Sequence, residues 1–281
     1  MKDNMQNTIN KFPFTCPICR SEFGASDNKI ICPNGHSFDR SRQGYYNLLI
    51  SNKSSSHGDN REMVLARRAF LGSGFYKPLS DLVSSLVLSS TESGGLVLDA
   101  GCGEGYYTDS VERSLRCRDG FSFVAAFDIS KEAASRCSRL NPNIFTAVAG
   151  SYKMPLADSS VTTLINVFAP MAIDEVKRVL KSGAHFIIAV PDADHLFELK
   201  SLLYDEPYKN KLSDSHIEGF ELTHDERLTY PMELDSPELI DSLFMMTPYA
   251  YRTSPERRER IRSRSSLTVT ADFHVYVYRK V

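Results

Sequence analysis

The sequence lacks an excess of charge of either sign. Its 281 residues contain 33 lysines and arginines against 35 aspartates and glutamates, and the formal net charge is −2. Proteins that bind nucleic acid through their overall charge are strongly basic. The composition therefore argues against a globally basic nucleic-acid binder, although positive side chains can still gather locally.

The sequence also lacks a long apolar run and contains few cysteines. No segment reaches the ~20 consecutive apolar residues that span a bilayer, and no apolar signal peptide is visible. Of the six cysteines, Cys102, Cys117 and Cys137 have no ligand spacing, so we expect reduced, buried or half-buried thiols. These features predict a cytoplasmic protein that does not enter a membrane.

The other three cysteines form a metal-binding pattern with a histidine. The expected ligands are Cys16, Cys19, Cys32 and His36. Two close pairs separated by the length of a hairpin are typical of a closed, structural Zn²⁺ site. A Cys-x-x-Cys sequence alone can instead be a redox pair. No βαβ pattern surrounds Cys16, however, and the second pair would stay unexplained, so the sequence favours zinc.

A glycine-rich turn follows a strand pattern in the segment 96–105, which reads L-V-L-D-A-G-C-G-E-G. Gly101, Gly103 and Gly105 let the main chain turn and approach a ligand without Cβ clashes. The following helix presents free N–H groups to a carboxylate, and Asp99 can pair with an ammonium group. The G-x-G-x-G spacing is one residue shorter than the dinucleotide fingerprint. It favours S-adenosyl-L-methionine as the cofactor; an ordinary tight turn is the alternative.

The alternation of strand and helix patterns continues after this turn. A strand pattern at 121–127 ends in Asp128, where a carboxylate can hold a ribose diol or cap the predicted helix 131–140. Further strand patterns at 144–149, 161–166 and 185–190, with a closing antiparallel strand at 271–278, predict a doubly wound, mostly parallel α/β sheet. Because ligands bind at the carboxyl edge of such sheets, we expect Ser151 beside the adenine and residues 166–170 facing the substrate.

The predicted domains are a zinc-binding, RNA-recognition domain at 12–50, a flexible connector at 51–60 and a methyltransferase domain at 61–281. Positive and aromatic side chains gather around the zinc module: Lys11, Arg20, Arg40, Arg42, Lys53, Arg61, Arg67, Arg68, Tyr45, Tyr46 and Phe70. Such a mixture suits the phosphates and unpaired bases of RNA; a solvated face with a few aromatic core residues is the alternative. A second basic stretch, 252–264, is either an RNA face or a salt-bridged helix.

Longer blocks are more specific than the glycine turn. They are the zinc pattern, G-Y-Y-N-L-L at 44–49, A-R-R-A-F-L at 66–71 and D-A-G-C-G-E-G-Y-Y-T at 99–108. Together they resemble the bacterial 23S rRNA (guanine-N1)-methyltransferases, a family that includes macrolide-resistance enzymes. The resemblance implies a class I fold with a Rossmann-like, seven-stranded sheet, a zinc module that helps to grip a 23S rRNA hairpin, and a homodimer. It also implies S-adenosylmethionine contacts from Tyr76, Gly103, Glu104 and His195.

The implied reaction is methyl transfer to N1 of a guanine in the hairpin loop. Guanine N1 carries a proton, so a base or a network that stabilises the O6 anion is needed, and the guanine must be unstacked. Asp192 and Asp194, after the fifth predicted strand, are the candidate catalytic bases, unless they cap the next helix. The alternatives are a class I methyltransferase acting on a small molecule and a catalytically silent zinc-containing RNA-binding protein.

Overall fold

The computed structural model describes residues 12–26, 28–50, 59–211, 215–250 and 253–281. Residues 51–58 of the predicted connector, Lys11, Lys53 and Arg252 therefore lie outside the described residues. The strands are β1 (Gly24–Ser26), β2 (Lys29–Ile31), β3 (Ser37–Asp39), β4 (Tyr46–Asn47), β5 (Leu96–Ala100), β6 (Phe123–Asp128), β7 (Phe145–Val148), β8 (Val161–Val167), β9 (Leu180–Pro191), β10 (Phe220–Leu234) and β11 (Leu267–Lys280). The helices are α1 (Arg61–Gly72), α2 (Lys77–Ser90), α3 (Tyr106–Arg118), α4 (Lys131–Leu140), α5 (Ile173–Val179), α6 (Phe197–Leu203), α7 (Pro237–Met245) and α8 (Pro255–Arg262).

The large sheet has the strand order β10-β11-β9-β8-β5-β6-β7-β4. Strands β4 to β9 are parallel, whereas β11 runs antiparallel to β9 and β10 antiparallel to β11. The chain moves outward from β5 through β6 to β7 and then crosses to β8. The loops after β5 and β8 therefore lie side by side at a topological switch point, where ligands of open α/β sheets bind.

Both faces of the sheet are covered because its central strands are apolar throughout. Val97 and Val124 pack into one core with α1, α2 and α3. The neighbouring residues Leu98 and Ala125 pack into a second core on the opposite face. Burial on two faces is what a parallel sheet requires, so the predicted doubly wound fold is confirmed.

The region between the predicted connector and β5 consists of the two helices α1 and α2. Asn60 caps α1 by accepting a hydrogen bond from the amide of Met63 at 2.9 Å. The helix ends at Gly72, Gly74 has a positive φ of 86°, and α2 then begins with a proline in its first turn. This arrangement brings Tyr76, directly before α2, to the carboxyl edge of the sheet.

The zinc module is continuous with the large sheet. Its own sheet contains β1, β2 and β3, but β4 pairs in parallel with β7, and Tyr46 lies opposite Ala147. The amide of Thr15 donates to the carbonyl of Pro155 at 2.8 Å, and Phe12 contacts Phe145 edge to face. The methyltransferase sheet therefore has the seven expected strands, β5 to β11, and gains an eighth from residues assigned to the zinc domain.

Within the described ranges, none of the helices combines the length and the apolarity that a bilayer span requires.

Candidate functional site

The glycine turn after β5 contains two glycines that are packed against protein and one that is open. All three have positive φ, at 94° for Gly101, 55° for Gly103 and 93° for Gly105. A Cβ on Gly101 would overlap Ala169, and a Cβ on Gly105 would lie 2.8 Å from Sγ of Cys137. At Gly103, by contrast, no atom lies within 4 Å of the Cβ position. The turn is thus packed against protein at its two ends and open in the middle, as a ligand cradle should be.

Asp99 lies at the end of β5 beneath this cradle. Its Oδ2 accepts a hydrogen bond from the hydroxyl of Thr108 at 2.5 Å. Burial raises its pKa to about 7, an effect that the hydrogen bond from Thr108 reduces. A cation near Asp99 would stabilise its charged form, which agrees with the predicted contact to an ammonium group.

Asp128, at the end of β6, connects the second strand to the glycine turn. Its two carboxylate oxygens accept hydrogen bonds from the amide of Gly103 at 2.9 Å and from the amide of Ser130 at 2.7 Å. The side chain that caps α4 belongs to Ser130, which accepts from Ala133. The capping alternative for Asp128 is therefore wrong, because Asp128 lies two residues before the cap position and forms a turn there.

Glu104 and Ser151 lie on either side of this acid. Burial raises the pKa of Glu104 to about 7, and the positive charges of Arg68, Arg136 and Arg67 oppose this shift. Ser151 follows β7 in a partly exposed turn. Both predicted contact residues therefore lie at the carboxyl edge of the sheet, Glu104 after β5 and Ser151 after β7, with Asp128 at the end of β6 between them.

Tyr76 and His195 meet on the other side of the cradle, although 119 positions separate them in the sequence. The amide of Asp272 donates to Nδ1 of His195 at 3.3 Å. Nδ1 therefore carries no proton, and Nε2–H donates to the Tyr76 hydroxyl at 3.3 Å. Burial lowers the pKa of His195 to about 3, so the imidazole is neutral and the Tyr76 hydroxyl keeps its own proton for another acceptor.

Aromatic rings surround this pair. Phe273 lies 4.7 Å from the His195 ring and 5.0 Å from the Tyr76 ring, measured between centroids. Phe168, in the loop after β8, lies 5.6 Å from Phe273, and Tyr107 in the first turn of α3 lies 6.5 Å from Phe168. The sequence interpretation included residues 166–170 in the substrate side but assigned no role to Tyr107 or Phe273.

The candidate bases Asp192 and Asp194 belong to a network of ion pairs. Asp192 contacts His274 Nδ1 at 3.1 Å and Arg227 Nε at 3.3 Å. Asp194 pairs with Lys209 at 2.7 Å and with Arg227 at 3.6 Å. Neither side chain caps α6, which has no side-chain cap. The network closes on Asp272, a buried carboxylate that Arg227 grips with two nitrogens at 2.8 Å each.

The four predicted metal ligands converge in the zinc module. Their ligand atoms all lie within 4.8 Å of one another. Cys19 and Cys32 have their sulfurs 3.6 Å apart, and His36 Nδ1 lies 3.6 Å from Cys16 Sγ and 3.3 Å from Cys32 Sγ. A tetrahedral Zn²⁺ with Zn–S bonds of about 2.3 Å requires sulfur atoms about 3.8 Å apart and S···N distances of about 3.6 Å. The donor set and its spacing therefore fit zinc.

The predicted RNA-binding groups separate into two kinds. Arg20, Arg40 and Arg42 are exposed on the zinc module. The aromatic side chains considered for base stacking are all buried, and they fill the cores: Tyr45, Tyr46 and Phe70. For these three the stacking hypothesis is wrong, and the alternative of aromatic core residues is correct. In the second basic stretch, positive side chains of α8 pair with Asp205 and Asp241, which favours the salt-bridged helix, with acids from outside the stretch as partners.

Comparison with known proteins agrees with both halves of this arrangement. A family model described as RlmA, N-terminal, a zinc ribbon, matches residues 14–57, and a methyltransferase-domain model matches residues 98–188. The 23S rRNA (guanine(748)-N(1))-methyltransferase of Streptomyces fradiae is 31% identical over 87% of this chain and 88% of its own length. Two relatives carry provisional names as 23S rRNA (guanine-N(1)-)-methyltransferases: one from Micromonospora griseorubida, 33% identical over 95% of this chain and 97% of its own length, and YxjB of Bacillus subtilis strain 168, 31% identical over 98% and 100%.

The chain belongs to the 23S rRNA (guanine-N1)-methyltransferase family. Its class I fold and its N-terminal zinc ribbon, both predicted from the sequence, are thereby confirmed. As expected for such a methyltransferase, the site suits S-adenosylmethionine, because the open cradle at Gly103 lies between the carboxylate of Asp128 and the neutral Tyr76–His195 pair. The zinc ribbon of this methyltransferase has a complete Cys₃His ligand set for Zn²⁺.

Proposed function

We propose that the chain transfers the methyl group of S-adenosylmethionine to N1 of a guanine in a hairpin loop of 23S ribosomal RNA. The observation that carries the proposal is the open glycine cradle at the switch point of the sheet, with Tyr76 and His195 on one side of it and Asp128 on the other. The names of the relatives supply the substrate, since three of them are assigned to this reaction.

In this proposal the cofactor is held by groups from five separate segments of the chain. The proposed contacts are Tyr76, Asp99, Gly101, Gly103, Glu104, Gly105, Asp128, Ser151 and His195. Asp128 accepts the ribose hydroxyls, and Ser151 flanks the adenine. Asp99 faces the ammonium group of the cofactor. The Tyr76 hydroxyl can donate its proton to the carboxylate of the cofactor, since its oxygen already accepts a hydrogen bond from His195 Nε2–H.

The bound sulfonium supplies an activated methyl group: the N1–C bond forms as the C–S bond breaks with its electron pair left on sulfur. The contribution of the chain is to align N1 with the methyl group and to receive the N1 proton. Asp192 and Asp194 are the proposed acceptors, and Asp194 is the more accessible, with 38% of its side chain exposed against 5% for Asp192. The acceptor carboxylate then passes the proton to solvent.

The remaining expectations complete the proposal. Residues 12–50 act as the zinc-binding, RNA-recognition domain that grips the hairpin, and residues 61–281 act as the methyltransferase domain. Exposed arginines on the ribbon support the first role. A homodimer and a cytoplasmic location follow from the family resemblance and from the ribosomal substrate. Light scattering of the zinc-loaded chain tests the dimer.

The decisive experiment is mass mapping of 23S rRNA from cells with and without the protein, alongside RNA incubated with purified protein and S-adenosylmethionine. We expect one hairpin guanine to gain an N1 methyl group only when the protein is present. Asp128→Ala should abolish cofactor binding, whereas Glu221→Ala, an exposed carboxylate paired with Arg279 at the opposite edge of the sheet, should not. If the RNA stays unmodified while the protein still binds the cofactor, the proposal is wrong and a small-molecule substrate replaces the RNA.

A further inference from the structure

The backbone of Phe168 adopts an unusual conformation at the substrate edge of the sheet. Its φ is 61°, in the left-handed region, which bulky side chains rarely adopt. One part of its ring packs against Phe273 and His195, with centroids 5.6 and 6.5 Å away. The residue is nevertheless 40% exposed, so part of a strained, apolar side chain is left open to a ligand. Backbone strain of this kind concentrates at functional sites.

Contacts on three sides fix the loop that carries Phe168. Its amide donates to the carbonyl of Ala189 in β9 at 3.1 Å. Two residues earlier, the Asn166 side chain donates to the carbonyl of Ala100 in β5 at 2.8 Å. One residue later, Ala169 packs directly against Gly101 of the cradle. The exposed ring is thus held in a defined position beside the place where the methyl group is transferred.

Tyr107 provides a second, independent observation next to this ring. Among the described residues, its hydroxyl is the buried side-chain polar atom without a hydrogen-bond partner. Nearly all buried hydroxyls are paired in folded proteins, and an exception calls for an unseen partner. The Tyr107 ring stands edge-on to Phe168, with 75° between the planes. Burial raises the pKa of Tyr107, so its hydroxyl stays protonated and can donate.

We propose that Phe168 and Tyr107 form the pocket for the target base: the Phe168 ring stacks on the purine, and the Tyr107 hydroxyl donates a hydrogen bond to its O6. This inference rests on the proposed function and specifies how the guanine is held. Proteins bind unstacked RNA bases by stacking them on exposed aromatic rings. O6 carries the negative charge that develops when N1 loses its proton, and a donor placed there stabilises that charge.

The position of the pair favours the base over the cofactor as its ligand. The cofactor cradle extends from β5 toward β6 and β7, through Gly103 and Asp128. Phe168 lies in the loop after β8, beside Phe273 of β11, and one part of its ring borders the proposed cofactor contacts Tyr76 and His195, with centroids 6.4 and 6.5 Å away. With the cofactor in the cradle, the exposed part of Phe168 remains available to a planar base.

The test compares four variants with the full-length, zinc-loaded protein: Phe168→Leu, Phe168→Tyr, Tyr107→Phe and the control Phe121→Leu. Phe121 is also an exposed aromatic residue, but it precedes β6 at the other edge of the sheet. The RNA is the 23S hairpin in which the methylated guanine has been mapped. A second transcript carries 2-aminopurine at that position, and its fluorescence reports stacking in the absence of cofactor.

We expect Phe168→Leu to lose roughly tenfold or more in kcat/KM for RNA, the range that corresponds to base stacking on an aromatic ring, and to lose the fluorescence change. Phe168→Tyr and Phe121→Leu should retain both. Tyr107→Phe should lower kcat about tenfold with KM for RNA unchanged. The affinity for S-adenosylmethionine should stay within twofold in every variant.

Three results would overturn the pocket. The first is that Phe168→Leu methylates the RNA as well as the unaltered protein does. The second is an unchanged kcat in Tyr107→Phe. The third is a weaker affinity of Tyr107→Phe for S-adenosylmethionine, which would mean that the hydroxyl binds the cofactor. A different result, unaltered protein that leaves the hairpin unmethylated in every transcript, would overturn the proposed function itself. The two failures are therefore distinguishable.

Discussion

Gly103 offers a direct test of the cofactor cradle, because a methyl group at its Cβ position meets no protein atom within 4 Å. In the ligand-free chain, Gly103→Ala should therefore cost only the backbone strain of a positive φ, about 1 kcal/mol. For a protein of this size, 1 kcal/mol corresponds to a fall in Tm of about 2–4 °C. The fold itself should be unaffected.

The effect on the cofactor should be larger, since the open space at Gly103 is where the cradle approaches the ligand. At a concentration of one hundred times Kd, a bound ligand stabilises the folded state by about 2.7 kcal/mol. If the added methyl weakens binding about tenfold, the same concentration gives only about 1.4 kcal/mol. The rise in Tm on addition of S-adenosylmethionine should therefore fall to about half.

Gly94→Ala is the matched control. Gly94 also has a positive φ, 77°, and nothing within 4 Å of its Cβ position, but it precedes β5 at the amino edge. Without ligand, the two variants should show the same fall in Tm. They should differ only in the rise in Tm that the cofactor causes, measured by thermal unfolding, and in cofactor affinity, measured by calorimetric titration. Equal cofactor affinity in Gly103→Ala and Gly94→Ala would refute the assignment of the cradle.

Three further predictions concern stability. Removal of zinc with a chelator, or Cys32→Ala, should lower the Tm of the whole chain in one transition, since ribbon and sheet share a core; an independent ribbon transition in calorimetry would contradict this. Because burial raises the pKa of Asp99 from 3.8 to about 7, the folded chain holds a proton that the unfolded chain has released. Because of Asp99, the free energy of unfolding should therefore fall as pH rises from ~4 to ~7, by up to about 1.4 kcal/mol per pH unit. Urea denaturation at several pH values should show this fall in the unaltered chain, and the contribution of this group should be missing in Asp99→Asn. Arg227→Met leaves the buried carboxylate of Asp272 without its ion pair, so the urea midpoint should fall and should recover when Asp272→Asn is added; no recovery would mean that Arg227 acts through other contacts.

The parts of the fold that the sequence predicts are those with local signals. Helix α4 has the predicted bounds, residues 131–140, and the buried strands β5 to β8 follow their apolar runs. The zinc ligands are found from spacing alone. Strand β10 was not predicted, although it is 15 residues long, because its burial pattern is mostly exposed. As an edge strand it pairs only with β11, so its sequence has little to bury.

The candidate site is less visible in the sequence because its groups act through distant partners. Burial between Tyr76 and the amide of Asp272 lowers the pKa of His195 and keeps its ring neutral, and none of these partners is near it in the sequence. The positive φ of Phe168 is not predictable from a residue type that normally avoids it. The aromatic residues near the basic cluster were left open between two roles for a related reason: their residue types suit base stacking and core packing equally well, and only the packing in the fold decides between them.

Because β4 pairs with β7, the outer edge of the cofactor sheet depends on a segment of the zinc module. Strand β7 leads directly into the turn that contains Ser151, and its outer edge is completed by two residues that follow the last zinc ligand in the chain. A chain that has not acquired its metal would thus lack the outer support of its cofactor sheet. Such a chain should bind the cofactor more weakly, so loading of the ribbon with metal and binding of the cofactor are coupled through one strand pair.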